Sequence, residues 1–221
     1  MDELSYHRRH EMFKILMSTA KHPYAAFALP AVHWAGEPGL QLYVAVRNTP
    51  PFQGLYSVIG GKVERNVENT DIAAKLPDRS SSSFGLESEG WERPSLAAVR
   101  EFCEEMYTRA KPELIVKGDV LSMRRIVRAD DEVTGTSCYV RLMIVPGMDF
   151  SPNSREIGDI KPLKDVSPRL LNPLTQVTIR GMYELPGFEN FRDQLPRLED
   201  LTVSCEGPCE GNHYVFGYAK E

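Results

Sequence analysis

The stretch that decides the fold is Arg100–Glu105, which reads REFCEE. On a helix, residues three and four apart are neighbours, so Glu101, Glu104 and Glu105 would share one face. Pro94 suits the first turn of that helix. Apolar residues recur around the stretch at helical spacing and would pack against a core; they are Leu96, Val99, Cys103 and Met106.

Three carboxylates on one helix face repel one another unless a cation lies among them. Their oxygen atoms are hard ligands of the kind that Mg²⁺ or Mn²⁺ prefers. An isolated segment of this type is more often a solvated acidic face than a metal site. Two features favour the metal site: Glu92 lies eight residues before Arg100, and Gly60-Gly61-Lys62-Val63-Glu64 ends a predicted strand.

Hydrophobic patterning predicts the remaining elements. Strands are expected at 24–34, 40–47, 55–59, 113–128 and 136–145, helices at 5–21 and 170–182, and a hairpin of 201–205 with 213–218. Residues 66–90 lack apolar periodicity and are interpreted as a weakly ordered insertion. We expect one α/β domain over 1–221, with a core of about 24–182, an N-terminal helix at 5–21, the insertion at 66–90 and a C-terminal extension at 183–221.

With residues 66–90 removed, the spacing resembles the signature of the Nudix hydrolase family. That signature is Gly, five residues, Glu, seven residues, then Arg-Glu-apolar-any-Glu-Glu-any-Gly-apolar. Gly61 and Glu92 occupy its first two positions, Arg100 begins its second half, and the likeness covers roughly residues 24–182. The resemblance implies an α/β/α sandwich with a mixed β-sheet.

Two residues depart from the family pattern. Trp91 replaces the Gly that usually precedes Glu92, and Tyr107 replaces the Gly near the end of the helix. A Gly there usually adopts a left-handed conformation, which Tyr enters only at a cost of about 1 kcal/mol or more. We therefore expect the helix to continue to Arg109 or Ala110.

The resemblance also implies a metal centre. Glu101, Glu104 and Glu105 would hold Mg²⁺ or Mn²⁺, with the carbonyl of Gly60 nearby, and Glu101 would be either a ligand or a base. The metal would draw charge from a diphosphate and orient an attacking water. Glu156 looks like the later glutamate of the family that supplies another ligand or base; an ordinary surface loop is the alternative.

Other residues would support this centre. The resemblance implies that Glu92 and Arg100 form a structural ion pair beside Gly61. Arg47, Lys62 and Arg65 lie near the Gly-Gly turn and are candidate phosphate contacts. Solvated surface cations are the alternative for these three residues.

The composition limits the classes of function. A formal net charge of −5 over 221 residues argues against an extended nucleic-acid surface, which needs clustered Lys and Arg. No stretch approaches the roughly 18 apolar residues of a membrane span, and no signal peptide is evident. The four Cys are sparse, as in a reducing cytosol. We expect a cytoplasmic protein without a membrane partner; a homodimer stays open.

The predicted function is metal-dependent hydrolysis of a diphosphate linkage. The partner would be a small nucleotide: a nucleotide sugar, a modified nucleotide or a nucleoside triphosphate. Markers of the ADP-ribose and diadenosine polyphosphate enzymes are absent from Arg124–Ile126. The alternatives are a non-catalytic nucleotide-binding sensor and an RNA 5′-end pyrophosphohydrolase. An isopentenyl diphosphate isomerase is a weaker alternative, because its upstream catalytic Cys motif is missing.

Overall fold

A computed structural model describes residues 24–34, 36, 38–50, 52–64, 91–107, 123–146, 151–152, 155–209 and 213–217. The predicted N-terminal helix at 5–21, Arg65 and the insertion at 66–90 lie outside these residues. The described strands are β1 (Tyr24–His33), β2 (Gln41–Arg47), β3 (Tyr56–Ser57), β4 (Ile59–Lys62), β5 (Met106–Tyr107), β6 (Met123–Asp131), β7 (Thr136–Pro146), β8 (Ser151–Pro152), β9 (Ile157–Pro162), β10 (Ser204–Cys209) and β11 (His213–Gly217). The α-helices are α1 (Pro94–Glu105) and α2 (Pro173–Glu184), and short 3-10 helices span Leu163–Asp165, Pro168–Leu170, Glu189–Gln194 and Leu198–Asp200.

Within the described residues, nine strands form one mixed sheet. Its order is β10-β11-β6-β7-β1-β2-β3, and β4 pairs with β1 while β9 pairs with β2. The pairs β1–β7 and β11–β6 are parallel, and the others are antiparallel. Strands β5 and β8 form a separate pair. The mixed sheet predicted from the sequence is confirmed.

The buried residues form two clusters on opposite faces of this sheet. Side chains alternate between faces along a strand, and in β7 Val140 and Leu142 belong to one cluster while Tyr139 and Met143 belong to the other. Helix α2 packs on the first cluster and helix α1 on the second, so the predicted α/β/α sandwich is confirmed. No helix in the described part of the chain is long and apolar enough to cross a membrane.

Residues predicted to be a C-terminal extension belong to the main sheet. Strand β11 pairs with β6, and β10 pairs with β11 as the predicted hairpin. Tyr214 and Phe216 are buried against α2, together with Phe188 and Phe191. The core therefore continues beyond residue 182, because parallel pairing with β6 adds these late strands to the sheet.

Helix α1 begins at Pro94, as predicted, but ends earlier than predicted. Pro94 suits the first turn because its missing N–H would have no helical partner there. Met106 leaves the helix in an extended conformation (φ −113°, ψ 114°), and β5 then pairs with β8. Tyr107 is thus extended, and the expected continuation to Arg109 or Ala110 is wrong. Phe102 is fully buried, which stabilises the helix on the sheet by about 2–3 kcal/mol.

Helix α2 fixes the residues that lead to Gly60 and Gly61 in β4. The side chain of Asn172 caps this helix by accepting from the Thr175 amide at 2.8 Å. The same side chain donates to the Ser57 hydroxyl at 2.8 Å, and the Val58 amide donates to the Thr175 hydroxyl at 3.0 Å. These buried bonds tie the start of α2 to the residues just before Gly60.

The described residues on either side of the insertion are hydrogen-bonded to each other. The Glu92 amide donates to the Glu64 carbonyl at 2.8 Å, and the Glu64 amide donates to the Glu92 carboxylate at 3.4 Å. In a chain without residues 66–90, Glu64 and Glu92 would be the first and fourth residues of a β-turn, which is the separation of this hydrogen bond. Glu64 and Glu92 thus already have the spacing that a direct connection through a short turn would need.

Replacing residues 66–90 by a four-residue Gly/Ser linker should therefore leave the core folded. We expect a melting temperature within about 5 °C of wild type, because about 1 kcal/mol corresponds to 2–4 °C for a domain of this size. Thermal unfolding followed by circular dichroism measures this, and substrate preference is the property expected to change. Loss of cooperative unfolding or of metal binding would contradict the prediction.

Candidate metal and catalytic centre

The side chain of Arg100 joins three parts of the chain. Its Nη2 and Nε atoms donate to the Glu92 carboxylate at 3.0 and 3.2 Å, and Nη2 also donates to the Lys62 carbonyl at 3.0 Å. The Glu92 side chain is fully buried. A buried carboxylate needs a paired cation, and a two-pronged contact is the strong form of this pair. The structure thus places Glu92 and Arg100 together, holding β4, the end of the insertion and α1.

The remaining amino group of Arg100 faces the acidic side of α1. Its Nη1 atom lies 2.9 Å from Glu101 Oε1, 3.3 Å from Glu104 Oε2 and 4.0 Å from Glu64 Oε1. Burial opposes the charge of Arg100, but the hydrogen bond and charge of Glu92 and the charge of Glu101 outweigh it and raise the arginine's pKa. Four carboxylates thus share one guanidinium, which leaves this part of the site strongly negative.

The glycines of β4 let the backbone and the helix approach closely. Gly60 has a φ of 154°, and a side chain there would overlap Phe27 in β1. A methyl group on Gly61 would lie 2.6 Å from the carboxyl carbon of Glu101. Gly60 is therefore required for the close packing of β4 on β1, whereas Gly61 leaves room for the Glu101 carboxylate.

The Glu105 carboxylate lies at the buried end of the same helix face. Its Oε1 atom is 3.6 Å from Arg47 Nη1, it accepts a hydrogen bond from the Gly60 backbone, and its side chain is 6% exposed. Burial raises the pKa of Glu105 to about 7; Arg47 and the Gly60 hydrogen bond oppose the rise, and the charges of Glu101 and Glu156 add to it. Its Oε2 atom is buried without a hydrogen-bond partner.

Arg47 connects Glu105 to Glu156. Its Nη2 atom lies 3.5 Å from Glu156 Oε2. The Asn48 amide donates to the Glu156 carbonyl at 2.7 Å, so the backbone also holds this contact. Of the other predicted phosphate contacts, Lys62 is exposed on β4 and Arg65 lies outside the described residues. The structure thus brings Glu156 to the centre, with Arg47 between two carboxylates.

The donor set fits a divalent cation, although the side chains do not converge on one point. Among the residues that the structure describes, no three His, Cys, Asp or Glu side chains are arranged to hold a metal ion. Glu101 and Glu104 turn toward one arginine and Glu105 toward another. The unpartnered, buried Oε2 of Glu105 and the space that Gly61 leaves for Glu101 nevertheless suit a hard cation. Burial, which is only partly offset by Arg100, raises the pKa of Glu101 as well.

Sequence reasoning did not single out two features of this centre. Glu64 joins the Arg100 cluster, and its position four residues after Gly60 was the available signal. The contact of Arg47 with Glu105 and Glu156 had no local signal, because these residues lie 58 and 109 positions away in the sequence. Only the pairing of β2 with β9 brings Arg47 and Glu156 together.

No protein-family model and no curated protein matches the chain. Solved structures that are similar include a bifunctional NMN adenylyltransferase/ADP ribose pyrophosphatase from Francisella tularensis (TM-score 0.46, 17% identity, covering 74% of this chain). This chain spans 40% of that protein's length. A NUDIX hydrolase from Nitrosomonas europaea is also similar (TM-score 0.44, 13% identity, 77% of this chain and 78% of that one). No property of these proteins is carried over to this chain, and the chemistry of the centre rests on the chain's own side chains.

Substitution of Gly61 by Ala should weaken divalent-ion binding without unfolding the protein. The added methyl group would displace the Glu101 carboxylate, which is the mobile end of a side chain, and Gly61 has an ordinary φ. We expect Mn²⁺ affinity to fall about 10-fold, the scale seen when groups around a metal ligand are disturbed. Isothermal titration calorimetry measures this, with Gly217→Ala as a control at a glycine of ordinary φ in β11, whose added methyl group would meet only the end of the exposed Glu132 side chain at 3.1 Å. Unchanged affinity in Gly61→Ala would exclude this role.

Substitution of Glu105 by Gln should alter the pH dependence of stability when divalent ions are chelated. The carboxyl loses its proton near pH 4.5 in the unfolded chain and near pH 7 in the folded protein. Between these values the folded state binds more protons, so the wild type's free energy of unfolding falls as pH rises. The free energy of unfolding of the variant should therefore rise relative to that of wild type across this window, by up to about 3 kcal/mol. Above pH 7 this difference should become constant.

Urea unfolding in EDTA between pH 4 and pH 8 measures this difference. Glu199→Gln is the matched control, because the Glu199 side chain is 72% exposed and pairs with Arg197 away from the centre. If the difference in free energy of unfolding between wild type and Glu105→Gln were the same at all pH values, the raised pKa of Glu105 in the folded protein would be refuted.

Proposed function

We propose that this chain is a Nudix-type pyrophosphohydrolase that uses Mg²⁺ or Mn²⁺ to cut the diphosphate linkage of a nucleoside diphosphate derivative. One observation carries the proposal: two carboxylates of α1 meet the two glycines of β4. Glu101 lies against Gly61, Glu105 accepts from the Gly60 backbone, and the Oε2 atom of Glu105 is buried without a hydrogen-bond partner. The motif that the sequence resembles supports the same assignment.

The carboxylates of the centre have two proposed roles. Glu101, Glu104 and Glu105 would hold the divalent ion, with the Gly60 carbonyl as a further ligand. When bound, the ion supplies charge neutralisation at the diphosphate and polarises the attacking water. Glu101 and Glu156 are the candidate proton acceptors for that water; the Glu156 side chain is 58% exposed and is therefore open to solvent.

The basic residues would orient the substrate and the ligands. Arg100 hydrogen-bonds both Glu92 and Glu101, so it would set the direction of the Glu101 carboxylate rather than touch the substrate. Lys62 is exposed at the end of β4, where a phosphate could reach it. Arg47 and Arg65 are the other proposed phosphate contacts. A diphosphate bound here would meet positive charge at the rim and the metal at the centre.

The class of substrate follows from these charges. A diphosphate linkage presents negative oxygens to both the ion and the rim, whereas a long nucleic acid would need a broad basic surface that a chain of net charge −5 does not favour. We therefore propose nucleotide sugars, modified nucleotides and nucleoside triphosphates as substrates, with RNA 5′ ends as a lesser candidate.

Hydrolysis of a panel of these compounds with Mg²⁺ or Mn²⁺ tests the proposal. Released phosphate would be read after coupling to a phosphatase, for wild type, Glu101→Gln and Glu104→Ala. We expect turnover in wild type and a loss of about 100-fold or more in each variant, the scale for removing a group that stabilises the transition state. Glu199→Gln is the control and should keep full activity.

The same panel separates the alternatives. Full activity in the Glu104→Ala variant would refute the metal-centre assignment. Metal and nucleotide binding without turnover on any compound would favour a non-catalytic sensor. Turnover confined to capped or triphosphorylated RNA would redirect the assignment to RNA 5′-end processing.

A further inference from the structure

The guanidinium of Arg47 lies between two carboxylates that come from different parts of the chain. Nη1 is 3.6 Å from Oε1 of Glu105 at the end of α1, and Nη2 is 3.5 Å from Oε2 of Glu156 just before β9. The Arg47 side chain is 17% exposed. This arginine therefore supplies local positive charge to a largely buried acid and an exposed one together.

Backbone contacts hold Arg47 and Glu156 in place without this ion pair. The Arg47 amide donates to the Leu55 carbonyl at 2.9 Å, and the Gly54 amide donates to the Arg47 carbonyl at 2.7 Å. The Asn48 amide fixes Glu156 through its carbonyl at 2.7 Å. The guanidinium is thus not needed to bring Glu156 to the site.

The position of Glu105 is likewise independent of Arg47. Glu105 is the last residue of α1, and Phe102 and Met106 on either side of it are buried in the core. The role left to Arg47 is electrostatic, since an uncompensated charge on Glu105 is unfavourable in this buried place.

We propose that Arg47 serves as the counter-cation of Glu105 and Glu156 in the metal-free protein and competes with the divalent ion for these carboxylates. The inference rests on the proposed function, because that function puts the ion at Glu105. A divalent ion at the unpartnered Oε2 would lie within a few ångström of the guanidinium at Oε1, and like charges at that distance repel. Ion binding therefore moves Arg47 away from Glu105 and frees it for an anionic group of the substrate.

The affinity for Mn²⁺ alone tests the proposal. Electron paramagnetic resonance titration without substrate would compare wild type, Arg47→Gln, Arg47→Lys and the control Arg197→Gln, whose residue is 81% exposed and pairs with Glu199. We expect Arg47→Gln to bind Mn²⁺ at least about threefold more tightly than wild type, because a competing charge is gone. Arg47→Lys and Arg197→Gln should stay close to wild type. Equal or weaker binding in Arg47→Gln would overturn the proposal.

A second measurement uses the wild-type protein and does not depend on the folding of a variant. Titration with diamagnetic Mg²⁺ should shift the Arg47 Nε–H resonance in a ¹⁵N spectrum, with its assignment taken from Arg47→Lys. A resonance that does not move at Mg²⁺ saturation would refute displacement.

The two proposals fail in different ways. Tight Mn²⁺ binding in Arg47→Gln without hydrolysis of any nucleotide would support the competition and refute the pyrophosphohydrolase. No Mn²⁺ binding in either wild type or Arg47→Gln would refute both.

Discussion

The pairing of Arg100 with the buried Glu92 carries much of this architecture. Arg100 lies on α1, Glu92 just before it, and the Lys62 carbonyl that shares the guanidinium lies on β4. Loss of Arg100 would take this cation from the fully buried Glu92 carboxylate, which costs about 3–5 kcal/mol in comparable pairs. The same guanidinium then reaches Glu101, so the contact that orders the loop also orients a proposed ligand.

Helix α1 separates its structural and chemical tasks by face. Leu96, Val99 and Phe102 pack into the core and fix the helix on the sheet. The carboxylates on the opposite face contact arginines rather than apolar side chains. Arg100 pairs with Glu101 and Glu104, and Arg47 pairs with Glu105. Because guanidinium contacts can exchange for a metal ion and apolar contacts cannot, the scaffold stays fixed while the ligands can reorganise.

Local pattern predicted much of the fold, and long-range pairing decided the rest. The start of α1 followed from Pro94 and the helical spacing of its apolar residues, and the first two strands and the last hairpin followed from their hydrophobic patterning. The end of α1 did not, because Met106 and Tyr107 pair with Ser151–Pro152 some 45 residues later. The acidic face was visible as a spacing of three and four residues, whereas the approach of Arg47 depended on the register of β2 against β9.

The hydrogen bonds between Glu64 and Glu92 join the two sides of the site directly. Strand β4 is held by β1 through the sheet, and α1 by its buried face and by Arg100. A chain cut once between Glu64 and Glu92 would keep its two pieces associated through these contacts. Each piece would carry part of the centre. Gly60 and Gly61 would lie on the first piece, and the glutamates of α1 on the second.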